Sequence, residues 1–189
     1  MAIDVHLDAL HRLSIEEYHQ LVRSGGLDED ARIELLDGLL CDMSPKSPQH
    51  EHAIVFLADW LREGVDRRAY DVRVAAPLTI GDSEPEPDLA VVVASSPRDA
   101  HPASALLVIE VSHTSMRRDL LEKPALYARA EVQEYWVIDL DGCRAIRHAG
   151  ASEDAYRIVT TYERGATIPG AGVGLPALPV DDVLAAAGR

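Results

Sequence analysis

The chain has 189 residues, 47% of them apolar and 26% charged, which is the composition of one globular domain able to bury a core without staples. Its net charge of −14 argues against tight, non-specific binding to nucleic acid, because that binding draws on Lys and Arg set against phosphates. The two cysteines, Cys41 and Cys143, stand far apart with no second Cys or His at ligand spacing, which excludes a disulfide framework and a zinc site.

No apolar run nears the roughly 20 residues that span a bilayer. The N-terminus is rich in acids and histidines where a signal peptide has a basic start and an apolar stretch. A cytoplasmic protein without membrane contact is expected. No repeat or linker divides the sequence, so a single domain over 1–189 is expected, with 1–12 a loosely held lead-in and 165–189 a tail ending in a short helix.

In chain order, Ser14 followed by Glu17 reads as a capping box opening a helix over 14–23. Apolar residues on either side of Asp37-Gly38 predict a hairpin over 32–43, with that pair as its turn. After the break at Ser44-Pro45, an amphipathic helix is expected over 49–63, with Ile54, Leu57, Ala58 and Leu61 on one face. Alternation at Val72, Val74 and Ala76 predicts a half-buried strand over 70–80. Near-continuous apolar runs at 88–93 and 105–111 suit central strands covered on both faces. The segment 117–130 is helical in character. Pro124 fits only a first turn, which places a helix start near Leu121. A further buried strand is expected over 134–139, outer antiparallel strands over 144–148 and 156–162, and a short helix over 181–187. Strands flanked by helices, with hairpins at the edge, indicate a mixed α/β (α+β) sandwich.

Two acids interrupt this pattern. Asp88 opens one apolar strand directly after Pro87, and Glu110 sits within Val108-Ile-Glu-Val-Ser112 near the end of the next. A carboxylate among Val, Leu and Ile is costly to bury unless it is paired or holds a metal. Mg²⁺ takes oxygen ligands, commonly one or two carboxylates with waters, so Asp88, Glu110 and the backbone carbonyl of Val111 form a candidate site. The plainer alternative makes Asp88 a strand-edge acid and Glu110 a solvent-facing residue. Lys123 is a third candidate. Lysine occurs only at positions 46 and 123 of a chain otherwise rich in arginine, which suggests a need for a compact ammonium there. Its alternative is an i,i+4 pair with Asp119 on an exposed helix face.

Pro87-Asp88, Glu110-Val-Ser112, Arg118-Asp119-Leu-Leu-Glu-Lys123, Tyr127-Ala128 and Glu134-Tyr-Trp-Val-Ile-Asp139 occur in an order that resembles the Uma-two family. That family comprises restriction-endonuclease-like proteins of the PD-(D/E)XK nuclease superfamily. The likeness extends upstream to Ile15-Glu-Glu-Tyr18, Glu34-Leu-Leu-Asp-Gly38, Ser44-Pro45 and His50, and downstream to Leu178-Pro-Val-Asp181.

The resemblance implies a central mixed β-sheet flanked by helices, with the N-terminal hairpin beside it and the site at one edge. It makes Asp88 and Glu110 the acids of the motif and Lys123 its lysine, carried on a helix. Ser112 stands where the superfamily more often has lysine. Glu34 is implied as an additional acid from the hairpin. The function implied is hydrolysis of DNA phosphodiesters assisted by Mg²⁺, with Mn²⁺ as a substitute. Arg117, Arg118 and Ser112 would meet the substrate, together with His50, although a lone His at a helix start commonly caps the helix or lies on the surface. Arg117, Arg118 and Arg129 are the cations near the site, and a solvated helix face is their plainer reading. Two other functions stand beside this one, namely a catalytically idle binding or regulatory module and a glycosidase-like acid/base pair. Exposed strand edges and the apolar hairpin at 35–40 point to a homodimer able to cut both strands.

Overall fold

The two apolar runs that carry Asp88 and Glu110 do become inner strands of one sheet in this computed structural model. It describes residues 10–28, 31–97, 99–112, 116–172 and 174–189. Helix α1 (Ile15–Arg23) leads to the hairpin β1 (Ile33–Leu36) and β2 (Leu39–Asp42), then to the long helix α2 (Pro48–Gly64). Strands β3 (Tyr70–Val74), β4 (Leu89–Val93) and β5 (Leu107–Ser112) follow. Helices α3 (Met116–Leu121) and α4 (Lys123–Arg129) cross over to β6 (Glu134–Asp139), β7 (Arg144–Ser152) and β8 (Ala155–Glu163). A two-residue pair, β9 (Thr167–Ile168) with β10 (Leu178–Pro179), precedes the terminal helix α5 (Val180–Ala186).

The sheet runs β3-β4-β5-β6-β7-β8. Its pairs are antiparallel except for β5 with β6. It is thus two antiparallel three-stranded meanders zipped together by one parallel pair, which needs a crossover connection, here α3 and α4. Side chains alternate faces along each strand. Leu89, Val91, Leu107, Ile109 and Val111 pack with Leu57 and Leu61 of α2 and Leu184 of α5. Ala90, Val92 and Val108 pack on the other face with Leu126 and Tyr127 of α4. Both layers are needed because β5 and β6 are buried at every residue. No helix among the described residues is long and apolar enough to cross a membrane.

The capping box forms as read, with Ser14 and Glu17 each bonding the other's backbone. In the hairpin, Asp37 (φ 45°) and Gly38 (φ 76°) take the two left-handed positions of a type I′ turn. That turn is docked by Gly38 N–H on Asp82 C=O at 2.8 Å and by Asp37 N–H on Ser83 Oγ at 2.8 Å. A Cβ on Gly38 would lie 2.8 Å from Leu13 O and 2.7 Å from Arg12 Cβ. Gly38→Ala should therefore cost about 2 kcal/mol and lower Tm by on the order of 5 °C in a thermal melt. An unchanged Tm would show that the turn gives way freely.

Three expectations shift. The strand read over 70–80 stops at Val74, because Ala75 turns into the left-handed region (φ 44°). The helix read over 117–130 is two helices broken at Glu122, with Pro124 in the first turn of the second. The break falls within two residues of the start expected at Leu121. The apolar hairpin is also less open than its sequence suggests, since Leu35 is fully buried and only Leu40 stays exposed.

Candidate active site

Strand register places the two acids side by side. The antiparallel pairs Leu89↔Ile109 and Ala90↔Val108, carried on by one residue, set Asp88 opposite Glu110 on the face that α3 and α4 cover. Asp88 N–H points to Glu110 Oε2 at 3.4 Å, and Val111 N–H donates to Asp88 Oδ2 at 2.8 Å. The next residue, Ser112, turns its carbonyl to β6, where it accepts from Leu140 N–H. Backbone groups of successive strand residues alternate sides, so the Val111 N–H and C=O both face the Asp88 side.

Helix α4 brings the lysine. Lys123 is its first residue and is 95% buried, with Nζ donating to Glu110 Oε1 at 2.8 Å. The same ammonium lies 3.3 Å from Glu34 Oε2 of β1 and 3.9 Å from Asp119 Oδ1. Tyr127, one turn further along α4, donates its hydroxyl to Glu110 Oε1 at 3.1 Å. Arg118 reaches Glu34 Oε1 at 3.4 Å and donates to Asp42 C=O at 2.7 Å. From α2, His50 Nε2 lies 3.1 Å from Asp88 Oδ2. Glu34, His50, Asp88, Glu110, Arg118, Asp119 and Lys123 line a cavity of about 50 Å³, room for a few water-sized species.

Four buried carboxylates, Glu34, Asp88, Glu110 and Asp119, line one cavity with a single buried ammonium, and they cannot all be charged at low cost. Burial pushes the Glu110 carboxyl up to about 8, against the pull of Lys123 and with the help of Asp88, Asp119 and Glu34. Burial works against the charge on Lys123, but Glu110, Glu34 and Asp119 outweigh it and keep the ammonium protonated. The Tyr127 hydroxyl is raised well above its ordinary range, first by burial and then by Glu110, so it stays a donor.

The four residues read as catalytic, Glu34, Asp88, Glu110 and Lys123, thus meet in one place, and Val111 lines the cavity with them. They sit at one end of the two inner strands rather than along an edge strand. His50 is neither cap nor surface residue, being buried against Asp88; Ser47 caps α2 instead. The exposed-face alternative for Asp119 and Lys123 is corrected, because both are buried. Arg118 borders the cavity, but Arg117 is exposed and Ser112 is fully buried, and neither lines it.

The sequence reading missed two members. Asp119 and Tyr127 lie four residues either side of Lys123, so the i,i+4 rule for one helix face was the available signal. Among the described residues, no three His, Cys, Asp or Glu side chains form a ready-made metal cage. The donors present are two adjacent carboxylates, a backbone carbonyl and a carboxylate oxygen, Glu34 Oε2, that is buried without a hydrogen bond. That hard-oxygen set fits Mg²⁺, which commonly keeps waters beside one or two carboxylates.

Residues 15–180 match the Uma2 family, described as "Putative restriction endonuclease". Among solved structures, one similar chain is a crystal structure from Anabaena variabilis described as "a putative nuclease belonging to DUF820". It superposes with a TM-score of 0.75 at 15% identity, covering 93% of this chain and 99% of the other. At that identity the likeness is one of fold. A search of curated proteins finds no match.

Proposed function

This chain belongs to the Uma2 family, and on that premise we propose that it is a Mg²⁺-dependent endonuclease that hydrolyses phosphodiester bonds in DNA. The observation that carries the reading is the buried Lys123 ammonium bonded to Glu110, with Asp88 on the adjoining strand and a cavity beside them. A solvent-facing lysine would have favoured an idle binding module.

Asp88, Glu110 and the Val111 carbonyl would hold the ion, with Mn²⁺ as an alternative. When bound, the ion would polarise the scissile phosphate and make a nearby water more acidic. Lys123 would face the negative charge that grows on the phosphate. Glu34, with one oxygen lacking a hydrogen-bond partner, would help to orient the attacking water. His50 and the Val111 N–H both engage Asp88 Oδ2, which fixes that carboxylate's rotation and leaves Oδ1 without a hydrogen-bond partner among the described residues. Tyr127 likewise fixes Glu110.

The test is nicking of supercoiled plasmid with Mg²⁺. Wild type should yield open circles, and Asp88→Ala should slow that conversion by on the order of a hundred- to a thousandfold. If wild type cuts neither plasmid, linear duplex, single-stranded DNA nor RNA with Mg²⁺ or Mn²⁺, the nuclease reading fails.

A further inference from the structure

Both lysines of the chain, Lys46 and Lys123, border the same cavity. Lys123 is occupied at its floor. Lys46 is half-buried at its mouth, on the loop between β2 and α2, and makes no hydrogen bond or ion pair with any described residue. That loop is braced: Arg32 on the hairpin donates to Ser44 C=O at 2.8 Å, and Ser47 caps α2 directly after Lys46. Arg118 borders the cavity from α3.

Three cations therefore ring an acidic floor. Lys46 and Arg32 share the cavity lining with Glu86. Arg118 is itself paired with Glu34, and four other arginines pair with acids: Arg129 with Asp37, Arg144 with Asp139, Arg147 with Glu134 and Arg62 with Asp59. A net charge of −14 sets the body as a whole against a nucleic-acid backbone.

We propose that Lys46, flanked by Arg32 and Arg118, grips the phosphates beside the bond to be cut, so that nucleic acid is held over two or three phosphates only. The choice of nucleic acid as ligand rests on the nuclease reading; the grip itself is a binding claim with its own readout. An unpaired lysine in a braced loop is a preformed donor, and a short footprint reconciles an acidic protein with an anionic substrate.

The experiment is fluorescence anisotropy of a labelled 20-base-pair duplex between 25 and 250 mM salt, with Ca²⁺ in place of Mg²⁺ so that binding is read without cutting. Each neutralised phosphate contributes about −0.9 to the slope of log affinity against log salt, so a slope of roughly −2 to −3 is expected. Lys46→Ala and Lys46→Gln should each weaken binding about tenfold at 100 mM salt and move the slope toward zero by about one. Arg67→Ala, just past the far end of α2, roughly 25 Å away, should bind like wild type. Thermal melts identify any variant that is misfolded, and the gentler Lys46→Gln then decides.

A wild-type slope steeper than about −5, wild-type affinity in both Lys46 variants, or no binding by wild type would each overturn the grip. Plasmid nicking judges the hydrolysis separately. Cutting together with binding indifferent to Lys46 removes the grip and keeps the nuclease. Binding that depends on Lys46 without any cutting does the reverse.

Discussion

Lys123→Ala should abolish plasmid nicking and also make the protein markedly less stable, with Tm lower by on the order of 10 °C. The reason lies in what the substitution leaves behind. Nζ is 2.8 Å from Glu110, 3.3 Å from Glu34 and 3.9 Å from Asp119, and all three acids are at least 95% buried. Removing the ammonium leaves these buried acids without their shared donor and counter-charge, which costs about 3–5 kcal/mol when one partner of a buried ion pair is deleted. Lys123→Met fills most of the space without restoring charge, and it should recover only part of the loss. A variant that melts and cuts like wild type would show that Lys123 neither supports the fold nor takes part in chemistry.

Glu110→Gln should likewise slow plasmid nicking, by on the order of a thousandfold, while changing how the fold responds to pH. In the folded protein burial raises the Glu110 carboxyl from the ordinary carboxylate range to about 8. The folded state therefore holds that proton more tightly than the unfolded state does. Its contribution is fully present below the ordinary carboxylate range and is lost as pH climbs from there to about 8, at up to about 1.4 kcal/mol per pH unit. Urea denaturation in EDTA from pH 5 to 8.5 should show this decline in wild type and a flatter profile in Glu110→Gln. His148, whose own value is lowered by burial, is common to both proteins and drops out of the difference. Because a metal ligand must shed its proton, the Mg²⁺ concentration for half-maximal activity should fall as pH rises toward 8 and then level off. Parallel pH profiles for the two proteins would contradict the assignment of the extra proton to Glu110.

Much of this arrangement was legible in the sequence because it rests on local rules. The run at 134–139 matches β6 residue for residue, since an unbroken apolar stretch has few other places to go. Ser14 with Glu17 marked α1, and Asp37-Gly38 marked the hairpin, through requirements on single residues. Glu110 stood out because a charge within a buried strand needs a partner. What stayed hidden depends on contacts between distant segments. Nothing local to His50 tells that α2 will lay it on Asp88, 38 residues away. The burial of Asp119 and Lys123 could not be read from a helix with polar residues on several faces. Strands β9 and β10, two residues each, are too short for alternation to register.

The parallel zipper between β5 and β6 bears on when the molecule acquires its chemistry. Each meander can form from neighbouring segments by local hairpin closure, whereas the β5–β6 pair joins the halves and waits on the docking of α3 and α4, a slower, higher-contact-order event. Lys123 rides on that crossover, while Glu110 waits on β5. A nascent chain with both meanders built but the crossover undocked would carry the acids without their ammonium. On the proposed nuclease reading such an intermediate would be inert, so that competence to cut would wait for the docking of the crossover.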